Sequence, residues 1–193
     1  LTSSQLRALG TARIAALSSE DLNTLTTEQY AALTTAQIAA LATDQISKLA
    51  SDDLKALTSS QMAAFETRDL AAMDSANLAA LGSAQLMGLR AAQVAALDSA
   101  DITHLATDAL RGLSSAQIAG LTNAQLGALA SDQLRSLTTS QLRGLTSSQL
   151  ANLSTDDLNS LSSAQFVGLS TAQIAALTSD QIGKLESDDR SEE

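Results

Sequence analysis

The chain has 193 residues, of which 45% are hydrophobic but only 2% aromatic, and it carries a net charge of −10 with one His, no Cys, no Trp and no Pro. Without Cys there are no disulfides or thiolate metal sites. Eleven Lys and Arg, scattered among twenty-one acidic residues, do not form the clustered positive charge that nucleic acid requires. No apolar run is long enough to cross a membrane as a helix, so no membrane insertion is predicted.

Internal periodicity decides how the rest is read. Cut from Leu1, the chain is twenty-four consecutive eight-residue repeats with no insertion or deletion, and Glu193 is left over. Octad n begins at residue 8n − 7. Position 1 is Leu except at Phe65 and Met73, and position 6 is a large apolar residue except at Arg190. Position 3 is Ser or Thr except at Ala91 and Asn123, while position 5 is Gln in fifteen octads and Asp in six.

Each octad predicts one short helix of about five to seven residues. A hydroxyl residue followed by Ala, Asp or Glu and then Gln or Asp is helix-start chemistry, since the hydroxyl accepts an orphan backbone N–H and acids suit the positive end of the dipole. Two registers fit. With the N-cap at position 2, as in Thr34-Thr35-Ala36-Gln37-Ile38, Gln closes a capping box and Leu33 and Ile38 form a hydrophobic staple. The stricter hydroxyl at position 3 favours an N-cap there instead. A single long helix is excluded because apolar spacings of 5 and 3 would rotate the stripe by about 80° per octad. Strands are excluded because Ala, Leu and Gln favour helix and no alternation of period two occurs. The fold class is therefore all-α, an α-solenoid of very short capped helices in which no octad is stable alone and stacking supplies the core.

In chain order, Leu1–Ala8 is a full repeat without a polar cap, and the chain reads as a processed product or an excerpt. Glu20, Asp44 and Arg68 recur every 24 residues at position 4, as do Asp108, Asp132, Asp156 and Asp180 in a different phase, which predicts three octads per superhelical turn. Tyr30, Phe65 and Phe166 fall on core positions and are packing variants. Gly88, Gly112, Gly120, Gly144 and Gly168 all stand at position 8, where a tight turn, a helix end or close helix approach calls for a small residue.

Residues with chemistry to offer are few. His104, with Asp98 and Asp101 nearby, lacks the second His or Cys that a metal or catalytic centre would need and reads as a solvated surface histidine. The acidic pairs Glu20-Asp21, Asp52-Asp53, Asp156-Asp157 and Asp188-Asp189 could collect Ca²⁺ weakly, but they lack a dedicated calcium loop and read as helix N-terminal charge. Asn152-Leu153-Ser154 is a glycosylation sequon of the kind chance supplies in a Ser- and Thr-rich chain. No base is present to activate any of the many hydroxyls. The expectation is no enzyme, no catalytic, cofactor or metal residue, and no cofactor. Residues 1–184 form the solenoid, and 185–193 form an atypical last repeat and acidic tail in which Arg190 ends the hydrophobic seam.

Octads such as Leu33-Thr34-Thr35-Ala36-Gln37-Ile38-Ala39-Ala40 resemble the LTTAQIAAL-type arrays of large bacterial secreted and surface proteins, adhesin-like or repeats-in-toxin-like in organisation. The resemblance covers the whole chain and implies an extracellular or cell-surface spacer, rod or filament-forming segment, and the exposed seams at either end of the array predict end-to-end self-association into fibres. The resemblance carries no catalytic motif. Leu25-Thr26-Thr27-Glu28-Gln29 is also superficially similar to the first helix of transcription-activator-like effector repeats, but those repeats are longer and their arrays basic. The alternative function is an interaction solenoid that binds protein, glycan or ice through a repetitive polar face. It would need one strictly repeated exposed residue, and only the position-5 Gln comes close.

Overall fold

A computed structural model describes residues 1–189, with side chains through 185. Within these residues the chain is a succession of short helices, one for each of the first twenty-three octads, with no strand. Each octad makes about one helical turn and then takes an extended step. In the fifth, Leu33 is extended (φ −60°, ψ 141°) and so is the N-cap Thr34 (φ −75°, ψ 156°), the helix runs Thr35–Ile38, and Ala39 closes it in the right-handed region. The helices before the last contain four to six residues, slightly fewer than expected. Their ends tighten into i→i+3 bonds, as where Leu41 N–H donates to the Ile38 carbonyl at 3.1 Å. The last helix, Ser179–Asp189, continues through the position-1 residue Leu185.

The N-cap is position 2. Thr34 Oγ1 accepts from Gln37 N–H at 3.2 Å and Gln37 Oε1 accepts from Thr34 N–H at 2.8 Å, the reciprocal capping box. Ala42, Arg90 and Ala130 offer no such hydroxyl at position 2, yet their N–H groups still donate to Gln45, Gln93 and Gln133 at 2.7, 2.7 and 2.9 Å. Half of the box survives whatever stands at position 2, which is why that position varies.

Position 3, the first helical residue, bonds elsewhere. Ser59, Ser83, Ser115 and Ser147 donate from Oγ to the carbonyls of Ala84, Asp108, Ser140 and Ala172, each 25 residues ahead, at 2.8–3.2 Å. In these octads the position-3 hydroxyl is thus a bond between turns.

Three octads make one superhelical turn. Each helix packs on the helix three octads away: Ser3–Arg7 on Thr27–Ala32, Thr27–Ala32 on Ser51–Ala56, Ser115–Ala119 on Thr139–Gly144. Octads therefore fall into three columns. The two phases of charge at position 4 lie on two of these columns, octads 3, 6 and 9 for Glu20, Asp44 and Arg68, and octads 14, 17, 20 and 23 for the aspartates. Glu28 and Asp52 belong to the third column.

The core is continuous along the stack. Position-6 side chains from Leu6 to Leu158 are sealed off from solvent, and position-1 residues from Leu33 onward complete the seam. Leu9 and Leu17 in the first turn, and Leu25 at the start of the second, are only partly buried. Tyr30 and Phe65 are buried core members and Phe166 packs against the core edge. Burial of this apolar surface, repeated turn upon turn, is the main driving force for the stack. Among the described residues no helix is long and apolar enough to cross a membrane.

Candidate functional site

The one side chain with a strictly repeated specific contact is the position-5 glutamine. From Gln29 to Gln181, fourteen glutamines donate Nε2–H to the position-1 carbonyl 28 residues earlier, at 2.5–2.9 Å. Most donate a second time to a carbonyl 30 or 31 residues back, as Gln141 does to Leu110 at 2.8 Å beside its bond to Leu113 at 2.7 Å. An amide both accepts and donates, so Oε1 closes the cap of its own helix while Nε2 fastens that helix to the turn beneath. All of these amides but Gln29 are buried, with Gln93 fully sealed off and Gln141 only 3% exposed. A carboxylate can cap but has no proton for the carbonyl.

Six junctions in the described residues lack this bond, because Asp53, Asp69, Asn77, Asp101, Ala109 and Asp157 stand at position 5. Asp157 Oδ2 caps Ser154, and Asp69 takes Glu66 N–H at 2.9 Å and the Thr43 hydroxyl at 2.7 Å. Asp53 does neither. The N–H of its N-cap, Ala50, donates instead to Asn23 Oδ1 at 3.3 Å. Asp53 Oδ2 and Tyr30 Oη, both buried, have no hydrogen-bond partner.

Burial, and secondarily Asp52, push the Asp53 carboxyl above the ordinary carboxylate range. Burial, and then Asp53, push the Tyr30 hydroxyl up as well. A raised carboxyl pKa means that the folded chain holds this proton more tightly than the unfolded one. Its stabilising effect is present at low pH and is lost as pH rises through the folded pKa. Asp53→Asn removes this dependence and stabilises the chain at pH 7 by about 1–2 kcal/mol. Urea unfolding at pH 4 and pH 7 checks it through the difference between variant and parent, which grows with pH; an equal difference at both pH values contradicts the assignment.

The other sequence candidates are dispersed. His104 is exposed at the end of the 3-10 turn Asp101–His104, and nearby Asp98 Oδ1 accepts Ala100 N–H at 2.8 Å. Asp21 caps Ser18, with its N–H in turn bonded to Ser18 Oγ at 3.0 Å, while Glu20 and Asp156 point to solvent. Asp52 lies 3.4 Å from Lys55. Asn152 is exposed and donates to Ser148 O at 2.7 Å. The side chains of Asp188-Asp189 and the tail with Arg190 lie outside the described residues. No three His, Cys, Asp or Glu residues among those described gather as a metal site. Two clefts of about 580 and 500 Å³ are open steps between stacked turns, the first between Leu17–Glu20 and Ala42–Lys48, the second between Met87–Ala91 and Gly112–Gln117.

The sequence profile of the ALTTAQ repeat family matches the chain six times, over residues 1–35, 14–51, 62–99, 94–131, 123–155 and 151–187. The chain belongs to the ALTTAQ repeat family. No match is found among curated proteins. The ALTTAQ motif appears intact as Ala32-Leu33-Thr34-Thr35-Ala36-Gln37, and the fold gives its letters physical roles. Ala faces the neighbouring turn, Leu fills the core, the first Thr is the N-cap, the second opens the helix, and Gln joins cap to stack. The ALTTAQ matches leave out 52–61, which includes Asp53 with its unpartnered oxygen.

Proposed function

We propose that this ALTTAQ array is a structural, non-catalytic rod or spacer in a bacterial extracellular or cell-surface protein, its length set by the number of octads. The observation that carries the reading is the full commitment of the recurrent residues to building the stack. Positions 1 and 6 make the core, position 2 caps, position 3 opens the helix and in several octads bonds the next turn, and position 5 bonds the preceding one. An interaction surface would instead repeat an exposed residue along one column. Asp108, Asp132, Asp156 and Asp180 do so, but the same column carries Ala36, Ser60 and Ala84 at that position earlier. We extend the proposal to end-to-end association, because the contact between turns is heterologous and does not close on itself.

Removing octads 16–18, residues 121–144, keeps all three columns in register. Gly168 would then face Ser115, and Gln149 the carbonyl of Leu97. Small-angle scattering is expected to show a chain shorter by one turn, about 8–10 Å, with helicity per residue unchanged by circular dichroism. An unchanged maximum dimension or loss of helix contradicts the spacer reading. Electron microscopy at rising concentration tests association separately: fibres support it, and single rods of constant length overturn it.

A further inference from the structure

We propose that the array opens first in its middle, over octads 7–14, residues 49–112, where the stack carries a built-in yield point. Solenoid stability is close to a sum of contacts between neighbouring turns, so a run of weaker junctions lowers the local opening cost without altering the fold. Five of the eight octads in this stretch lack the position-5 glutamine, their residues being Asp53, Asp69, Asn77, Asp101 and Ala109; Gln61, Gln85 and Gln93 make the amide bond to the preceding turn, and of the other five Asp69 alone reaches it, accepting from the Thr43 hydroxyl. In octads 15–19 all five do, through Gln117, Gln125, Gln133, Gln141 and Gln149. The three octads before the stretch are also joined, through Gln29, Gln37 and Gln45.

Two independent observations fall in the same place. Octad 13 alone among the described octads forms a 3-10 turn, Asp101–His104, instead of an α-helix, and it lacks the reciprocal cap. The poorer hydrogen-bond geometry of a 3-10 turn makes it a weaker link. At the lower edge, Asp53 places a buried oxygen without a partner beside the equally unpartnered Tyr30 hydroxyl. Asp101 and Ala109 also stand in consecutive octads, so two adjacent carbonyls, Met73 and Leu81, go without their amide donor. The yield point requires no ligand and no assembly, and it would let a spacer give at a defined place under load while its flanks stay folded.

Hydrogen exchange on the full chain, read by mass spectrometry, tests the proposal. Amides of 49–112 are expected to exchange at least about tenfold faster than those of 113–152, since each missing bond lowers the opening cost by a net hydrogen bond. The double variant Asp101→Gln, Ala109→Gln is expected to slow exchange in 97–112 severalfold while leaving 121–152 unchanged. In the opposite direction, Gln117→Ala with Gln125→Ala is expected to speed exchange in 113–128 towards that of the middle. Uniform protection from 49 to 152 overturns the inference, and so does an exchange profile that ignores both the restoring and the removing substitutions.

Discussion

Gln141→Glu is expected to destabilise the array by about 3–4 kcal/mol at pH 7, more than Gln141→Leu at about 2–3 kcal/mol, and the order is expected to reverse at pH 4. Gln141 is 3% exposed. Its Oε1 accepts from Thr138 N–H at 2.7 Å while Nε2 donates to the carbonyls of Leu110 and Leu113 at 2.8 and 2.7 Å. Leucine orphans all three groups but adds no charge. Glutamate keeps the cap, loses both donors and sets a negative charge against two carbonyl oxygens. Desolvation and those dipoles raise the pKa of the introduced carboxyl, so the folded state binds its proton more tightly than the unfolded state. The destabilisation is therefore large above the raised pKa and fades as pH falls below it, where the O–H restores one donor to the turn beneath. Urea unfolding of both variants at the two pH values checks the crossover; a Glu variant that tracks the Leu variant at both would show that the bond between turns contributes little.

The same physics explains how much could be read beforehand. The repeat, the two core positions and the all-helical solenoid follow from local pattern, because a period of eight with apolar residues at 1 and 6 fits neither a straight helix nor a strand. The three-octad turn was legible in the 24-residue spacing of Asp108, Asp132, Asp156 and Asp180. The apparent change of phase from Glu20, Asp44 and Arg68 is a change of column.

The double role of glutamine was not legible from capping, because its second partner lies 28 residues away and neighbouring letters say nothing about it. A signal existed nonetheless. A capping box accepts Glu as readily as Gln, yet position 5 is Gln in fifteen octads and Glu in none, as expected if a side chain long enough to reach the turn beneath has to donate there. The hydroxyl at position 3 misled for the same reason. Ser59 and Ser83 bond 25 residues forward, and a contact over that distance mimics strict local capping when read along the sequence. Tyr30 was legible as a core residue, but its unpartnered hydroxyl facing Asp53 emerges only when octads 4 and 7 are stacked.

Gly88 and Gly127 separate close approach from conformational freedom, and the expected results have opposite signs. Neither has a positive φ, so neither is needed for a left-handed turn. A Cβ on Gly88 would sit 2.3 Å from the Ser59 carbonyl oxygen and 2.6 Å from Ser59 Cα, both backbone atoms that no rotamer change can move. Ser59 is itself tied to the upper turn through its bond to Ala84. Gly88→Ala must therefore push two turns apart, weakening that bond and loosening the core behind it, at a cost of about 2–3 kcal/mol. Gly112, Gly120 and Gly144 face Ser83, Ala91 and Ser115 in the same way, with added Cβ atoms 2.7–2.9 Å from side-chain or backbone atoms 29 residues earlier. A Cβ on Gly127, at position 7 of its octad within the helix Asn123–Ala128, meets nothing within 4 Å. Gly127→Ala should therefore stabilise the array by about 0.5–1 kcal/mol through helix propensity and a less flexible unfolded chain. Thermal unfolding of the two variants side by side decides the matter. If Gly88→Ala is neutral, the turns are not in contact at position 8, and the small residues there reflect helix ends alone.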